Sequence, residues 1–316
     1  MTRRQFVFSL LLLKGSRNHC TTASGGTDTV KVAGVVIRWI RDGDYREANW
    51  ERVSRLIQKA AVKGAKIVCT TECFLDGYHV EVSDRTYADV KPYLEDVVTS
   101  QYVRRLKELA RALNIYIAAG MAVADPQRRD PDKSPKPFNS CQLYSPVGDL
   151  IGIYYKTHNW NKRSPWFEQF PDEEKKACFP TFPTNFGRLG CMICNDRYFA
   201  ETTSWLRQNG AELILCPTGG ALDYSPLIER SSESGVGIVW VHPCGFAATS
   251  PDGKLITAKL WEGRQRSIAE SEVAGPEDHQ EVFVVDMPIS PLAVDRREPA
   301  YPSARMDQCR NYVQTA

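Results

Sequence analysis

Apolar and polar positions along the chain switch between two periods. The run Lys31-Val32-Ala33-Gly34-Val35-Val36-Ile37 is apolar and β-branched, and it predicts a strand that opens the folded part at Val30. Asp44 follows, with Glu47 three residues on, a capping-box pair at a helix start. Trp50, Val53, Leu56, Ile57, Ala60 and Ala61 then recur at helical spacing and give that helix one apolar face. Gly64 ends it, and Lys66-Ile67-Val68-Cys69 predicts the next strand. An amphipathic helix over residues 102–113 and a strand over 115–121 repeat the alternation.

The second half reads differently. Residues 125–136 are rich in Pro, Arg and Asp and predict an exposed loop. Strands over 140–144 and 150–155 flank Ser145-Pro146-Val147-Gly148-Asp149, a hairpin signal. Residues 159–184 are long and irregular, as functional loops often are. Further strands are predicted over 188–193, 212–216, 237–241, 245–249, 255–260 and 281–285, and helices over 199–208 and 227–234. Early strand–helix alternation followed by hairpins points to an α/β fold with two sheets face to face and helices outside, a four-layer α-β-β-α sandwich. A plain Rossmann-like sheet fits less well, because no glycine-rich phosphate fingerprint follows a strand.

Composition narrows the class. The chain has 316 residues, is 42% hydrophobic and 25% charged, and carries a net charge of +2, so it can bury a large core. Basic residues are scattered among acids, which gives no reason to expect a nucleic-acid partner or an anionic membrane surface. No segment of the folded part is long and apolar enough for a membrane span. Ten cysteines form no regular framework and read as reduced. Residues 1–29 read as a leader. Thr2-Arg3-Arg4-Gln5-Phe6-Val7 resembles a twin-arginine export signal, with an apolar stretch over 6–13 and small residues at Ala23-Ser24-Gly25. The competing reading is a leader with no address, so both a cytoplasmic and an exported location stay open. Residues 30–290 read as the catalytic domain, and 291–316 as an extension that reaches across a partner subunit.

Three chemically capable side chains each follow an apolar strand. Glu72 follows Lys66-Ile67-Val68-Cys69-Thr70-Thr71, Lys156 follows Ile151-Gly152-Ile153-Tyr154-Tyr155, and Cys194 follows Gly190-Cys191-Met192-Ile193. A thiol attacks a carbonyl as thiolate and needs a base or a lowered pKa. Glu72 can take the proton of Cys194 and pass it to a departing amine. Lys156 can favour the thiolate and meet the oxyanion, with the backbone N–H of Asn195 as second donor. The scheme needs no metal and no organic cofactor. Cys191-Met192-Ile193-Cys194 also fits a C-x-x-C pattern. No second such pair completes a zinc set, and Cys191 reads as core.

The neighbouring residues add a resemblance. Thr71-Glu72-Cys73-Phe74-Leu75-Asp76-Gly77-Tyr78 resembles the first signature of the nitrilase superfamily of carbon–nitrogen hydrolases, with Thr71 where the family carries Pro. Tyr155-Lys156-Thr157-His158 resembles the second, and Gly190-Cys191-Met192-Ile193-Cys194-Asn195-Asp196-Arg197-Tyr198-Phe199-Ala200-Glu201 the third. The resemblance implies the α-β-β-α sandwich, homo-oligomers with stacked sandwiches, and catalytic Glu72, Lys156 and Cys194. It also implies a second glutamate beyond the lysine, for which Glu168 is the candidate and Glu173 the alternative. Asn195-Asp196-Arg197 looks like the amidase and N-carbamoyl amino acid hydrolase branches, which implies a small linear amide or carbamoyl substrate. Acyl transfer through the same thioester and nitrile hydrolysis are the alternatives, and a non-catalytic binding role is the third. Arg197 is read as a partner of a substrate carboxylate or of Asp196. Asp196 is read as a cap for the helix start, His158 as a hydrogen-bonded structural histidine, and His242 as lining the cleft or buried and satisfied.

Overall fold

Period-two alternation in the first strand sets the layers. In β1 (Thr29–Ile37), Val32 and Val36 join the core between two sheets, while Ala33, Val35 and Ile37 face helices. A strand covered on both faces reads as a continuous apolar run, which is how this one reads. The computed structural model describes residues 29–41, 43–79, 87–129, 135–159, 178–261 and 280–289.

The chain continues through α1 (Tyr45–Val62), β2 (Ile67–Cys69), α2 (Tyr87–Val90), β3 (Glu95–Asp96), α3 (Gln101–Leu113), β4 (Tyr116–Arg129), β5 (Pro135–Tyr144) and β6 (Leu150–Tyr155). It then forms β7 (Thr181–Thr184), β8 (Gly187–Cys191), α4 (Ala200–Gln208), β9 (Leu213–Pro217), α5 (Pro226–Ser234), β10 (Gly237–His242), β11 (Gly245–Thr249), β12 (Leu255–Leu260) and β13 (Gln280–Pro288). One sheet has the order β13-β1-β2-β4-β5-β6, with β3 beside β4; the other runs β12-β11-β10-β9-β8-β7. The middle of each sheet is parallel, β1-β2-β4 and β8-β9-β10, and both sets end at the same edge of the sandwich. Val32, Cys69, Ala118, Cys141 and Leu143 of the first sheet pack on Leu213, Leu215, Val239 and Ala247 of the second. Trp50, Val53, Leu56 and Ile57 of α1 and Val103 and Leu106 of α3 cover the first sheet outside. Leu206 of α4 and Leu227 of α5 cover the second. The architecture is the predicted four-layer sandwich.

Two local expectations change. Asp44 makes no side-chain cap. Glu47 turns instead to Arg105 of α3, with both guanidinium contacts at 2.7 Å, because a bidentate pair between helices outcompetes one backbone N–H. The ends of the loop expected over 125–136 are strand: β4 runs to Arg129, which pairs with Pro135 at the start of β5, and residues 130–134 lie outside the described residues. After Cys194 the chain makes a turn of 3₁₀ helix, Cys194–Tyr198, before α4 begins at Ala200.

Candidate active site

The first sheet delivers a carboxylate and an ammonium. Glu72 leaves β2 directly over β4, where a Cβ on Gly120 would sit 2.5 Å from the Thr71 carbonyl oxygen and 2.9 Å from Glu72 Cα. The missing side chain is what lets the chain cross there. Lys156 leaves β6, and its backbone N–H donates to the Asn139 carbonyl at 2.9 Å. Lys156 Nζ donates to Glu72 Oε1 at 2.8 Å, with both side chains fully buried. Asn139 Nδ2 donates to the same oxygen at 2.5 Å, and its own Oδ1 accepts from the Cys73 thiol at 3.7 Å, which fixes the amide orientation. Among the described residues, Glu72 Oε2 accepts the longer bond from Tyr78 Oη, at 3.3 Å. One carboxylate oxygen is thus saturated, and the other retains a lone pair toward the cleft. Trp39 stacks on Tyr78 at 4.8 Å and 7°, and its indole N–H donates to Thr71 Oγ1 at 3.2 Å.

The second sheet delivers the thiol. Cys194 follows β8 at φ 50°, a left-handed conformation that a non-glycine residue adopts only where its surroundings hold it. The Asp196 carboxylate accepts the Ile193 N–H at 2.8 Å and closes this turn. Opposite the thiol, Gly219 and Gly220 follow β9. A Cβ on Gly219 would lie 3.0 Å from Glu72 Oε2, and one on Gly220 would lie 3.0 Å from Cys194 Sγ. This glycine pair therefore passes both the free carboxylate oxygen and the sulfur. The Glu72 backbone N–H donates to the Thr218 carbonyl at 3.4 Å and joins the two sheet exits.

Electrostatics at the sulfur run against the expected thiolate. Burial pushes the Cys194 thiol up, and the Glu72 charge adds to it. Lys156, Arg197 and the Gly219 N–H pull the other way without reversing the balance. The balance favours the thiol over the thiolate, which leaves its proton for a base to take.

The other predicted residues fall in distinct places. Arg197 is fully buried and does not turn to Asp196. It donates to the carbonyls of Cys194 (2.6 Å), Asp223 (2.9 Å) and Ala221 (2.9 Å), and its Nη1 lies 3.7 Å from Cys194 Sγ. His242 has both ring nitrogens engaged with backbone, Nε2 with the Gly220 carbonyl and Nδ1 with the Cys244 N–H, each at 2.9 Å. Burial pulls its pKa down to about 4, so it is neutral and braces the glycine pair. The Asn195 side chain donates to the His158 carbonyl at 3.2 Å. Glu168, with Glu173, Trp160, Trp166 and Phe167, lies outside the described residues. Cys191 is buried in the core, in contact with Cys141.

Sequence reasoning missed Asn139, Tyr78, Gly219 and Gly220. An asparagine just ahead of a predicted strand and a Gly-Gly pair at a strand exit were the available signals.

The model of the family described as carbon-nitrogen hydrolase matches residues 36–236, more than half of the chain. The chain belongs to the carbon-nitrogen hydrolase family. It is 29% identical over 190 residues to the omega-amidase NIT2 of Homo sapiens, a match covering 58% of this chain and 63% of the human protein. It is 29% identical over 180 residues to a nitrilase of Pyrococcus abyssi, across 57% of this chain and 62% of that one. The chain thus spans somewhat under two thirds of the length of these relatives. An amidase from Nesterenkonia sp. shares the fold at TM-score 0.61 and 17% identity, over 91% of this chain and 97% of that one. Another structure of that amidase, at TM-score 0.61 and 17% identity over 82% and 90% of the two chains, carries an acetamide moiety covalently on its active-site cysteine.

Proposed function

We propose that the protein hydrolyses the carbon–nitrogen bond of a small linear amide or N-carbamoyl compound through a thioester on Cys194. The observation that carries this reading is the buried Glu72–Lys156 pair, 2.8 Å apart, whose charges both act on the buried Cys194 thiol. Glu72 Oε2 takes the Sγ proton as sulfur attacks the carbonyl carbon, so the thiolate exists only in the transition state. Such positioned proton transfer is worth about 10²–10⁴-fold. The Lys156 ammonium and the Asn195 N–H stabilise the oxyanion, and losing one such donor costs about 3 kcal/mol. Glu72 returns the proton to the leaving nitrogen, the C–N bond breaks, and ammonia or an amine departs. Glu72 then deprotonates water, which attacks the thioester, and the acid leaves as Sγ recovers its proton.

The omega-amidase and amidase relatives support a linear amide. The side chains of Asn195 and Asp196 hold the turn, and Arg197 braces it while reaching Cys194 Sγ at 3.7 Å.

The test is ammonia release from a panel of primary amides, N-carbamoyl amino acids and nitriles. Release from amides or carbamoyl compounds that disappears in Cys194→Ala is expected. Silence across the panel, or turnover undiminished in Cys194→Ala, overturns the reading.

A further inference from the structure

Asp196 sits two residues past the nucleophile and is fully buried, yet it is held by five donors. Oδ2 accepts from Tyr154 Oη at 2.7 Å and from the Ile193 N–H at 2.8 Å. Oδ1 accepts from the His158 N–H at 2.8 Å, from Thr157 Oγ1 at 3.2 Å and from His158 Nδ1 at 3.0 Å. Tyr154, Thr157 and His158 belong to the strand exit that carries Lys156, and Ile193 belongs to the turn that carries Cys194. One carboxylate therefore spans the two sheets at the point where ammonium and thiol meet.

The His158 ring extends this link outward. Its Nε2 lies 2.8 Å from Glu201 Oε1 on α4, and its ring stacks on Phe199 at 4.0 Å and 12°, with Phe179 at 6.2 Å beyond. Nδ1 also lies 3.0 Å from Thr157 Oγ1 and 3.4 Å from Thr202 Oγ1, hydroxyls that can accept as well as donate, while ionised carboxylate oxygens only accept, so the two carboxylates favour a proton on each ring nitrogen. The geometry favours an imidazolium. Burial alone would pull the His158 pKa down; Asp196 and Glu201 outweigh it, and the net direction is up. Among the described residues, the charged or titratable groups facing this ring are Asp196 from the 3₁₀ turn and Glu201 from α4. Tyr154 reaches it through Asp196. Lys156 is turned to Glu72, and Arg197 to the Cys194 and loop carbonyls.

We propose that Asp196 and His158 are positioning residues for the reaction: the imidazolium, clamped by Glu201, holds the Asp196 carboxylate, and that carboxylate sets the Lys156 strand exit against the Cys194 turn. The inference rests on the hydrolase reading above. Loss of the His158 proton breaks one of the two carboxylate contacts and loosens the lysine relative to the sulfur. A misplacement near 1 Å can cost about 10²-fold in rate.

The experiment uses the full chain, with kcat and KM measured across pH, His158 followed by NMR, and Cys194 alkylation by iodoacetamide measured over the same range. Glu201→Gln keeps the shape of a half-exposed side chain and removes its charge. It should move the His158 titration to lower pH and carry an alkaline decline of kcat with it, leaving KM and the rate at acid pH unchanged. Asp196→Asn should lower kcat by about 10²-fold at every pH, and Asp196→Glu should recover part of it. If the His158 titration moves and the kcat profile stays where it was, the proposal is overturned. If the unsubstituted enzyme hydrolyses no amide, the hydrolase reading has failed. The alkylation profile then decides this inference alone: it should track the His158 titration in both proteins, and a profile indifferent to Glu201→Gln refutes it.

Discussion

The two halves of the site are built by opposite means. The half from the first sheet is saturated with hydrogen bonds: Lys156, Asn139 and Tyr78 all donate to one buried carboxylate. The half from the second sheet sets a left-handed cysteine against two glycines, with Asp196, Arg197 and His242 holding the backbone that shapes it. A buried ion pair is costly to break and rigid when whole, so the carboxylate half carries stability as well as chemistry. The thiol half carries chemistry and needs room. The difference teaches that losses of activity in this site divide into those that unsettle the fold and those that do not.

The largest separation should come from Cys194→Ala set against Glu72→Gln. Cys194→Ala is expected to lose at least about 10⁴-fold in kcat/KM, with the melting temperature nearly unchanged. Glu72→Gln is expected to lose about 10²–10⁴-fold and also destabilise the protein by about 3–5 kcal/mol, since the Lys156 charge loses its partner. Urea unfolding beside kinetics checks both, and equal stability losses in the two variants would erase the distinction.

Gly220→Ala sharpens it next. Neither Gly219 nor Gly220 lies in the left-handed region, so an added methyl meets sulfur and not backbone strain. A kcat/KM loss of about 10²-fold with stability held within about 1 kcal/mol is expected, read by the same two assays. Tyr78→Phe should have a smaller effect. It removes one 3.3 Å bond to the free oxygen of Glu72, and a loss of up to about tenfold in kcat follows from a net hydrogen-bond contribution of about 0.5–1.5 kcal/mol.

The smallest effect separates the two histidines. His242 is held neutral, with its folded pKa at about 4 against an ordinary 6.5. Its contribution to stability is complete above the unfolded value and is lost as pH falls through that window. His158 has the opposite sign: its contribution is complete below 6.5 and is lost as pH rises through its raised folded value. Thermal unfolding across pH in His242→Gln and His158→Gln should therefore flatten opposite limbs of the stability profile.

Much of this was legible in the residues. β11 and β12 fall on the strands predicted over 245–249 and 255–260, because short apolar runs bounded by turn residues leave little choice of register. The strand exits of Glu72, Lys156 and Cys194 were readable for the same reason. Glu47 was misread because a local capping signal cannot reveal an arginine 58 positions away. Sequence left a base and a lowered thiol pKa as alternatives, since it shows the nearby cation but not the depth of burial that pushes the thiol up. Arg197 shows the same limit: its carbonyl partners at 221 and 223 come together only after β9 has crossed the sheet.

The account stands or falls on acylation of one sulfur. Rapid acid quench of the full chain with a slowly hydrolysed primary amide, followed by peptide mass spectrometry, reads this directly. The account predicts a mass gain equal to the acyl group on the peptide containing Cys194, absent in Cys194→Ala. Turnover with that peptide unmodified at every quench time, or with the acyl group on another side chain, would contradict it.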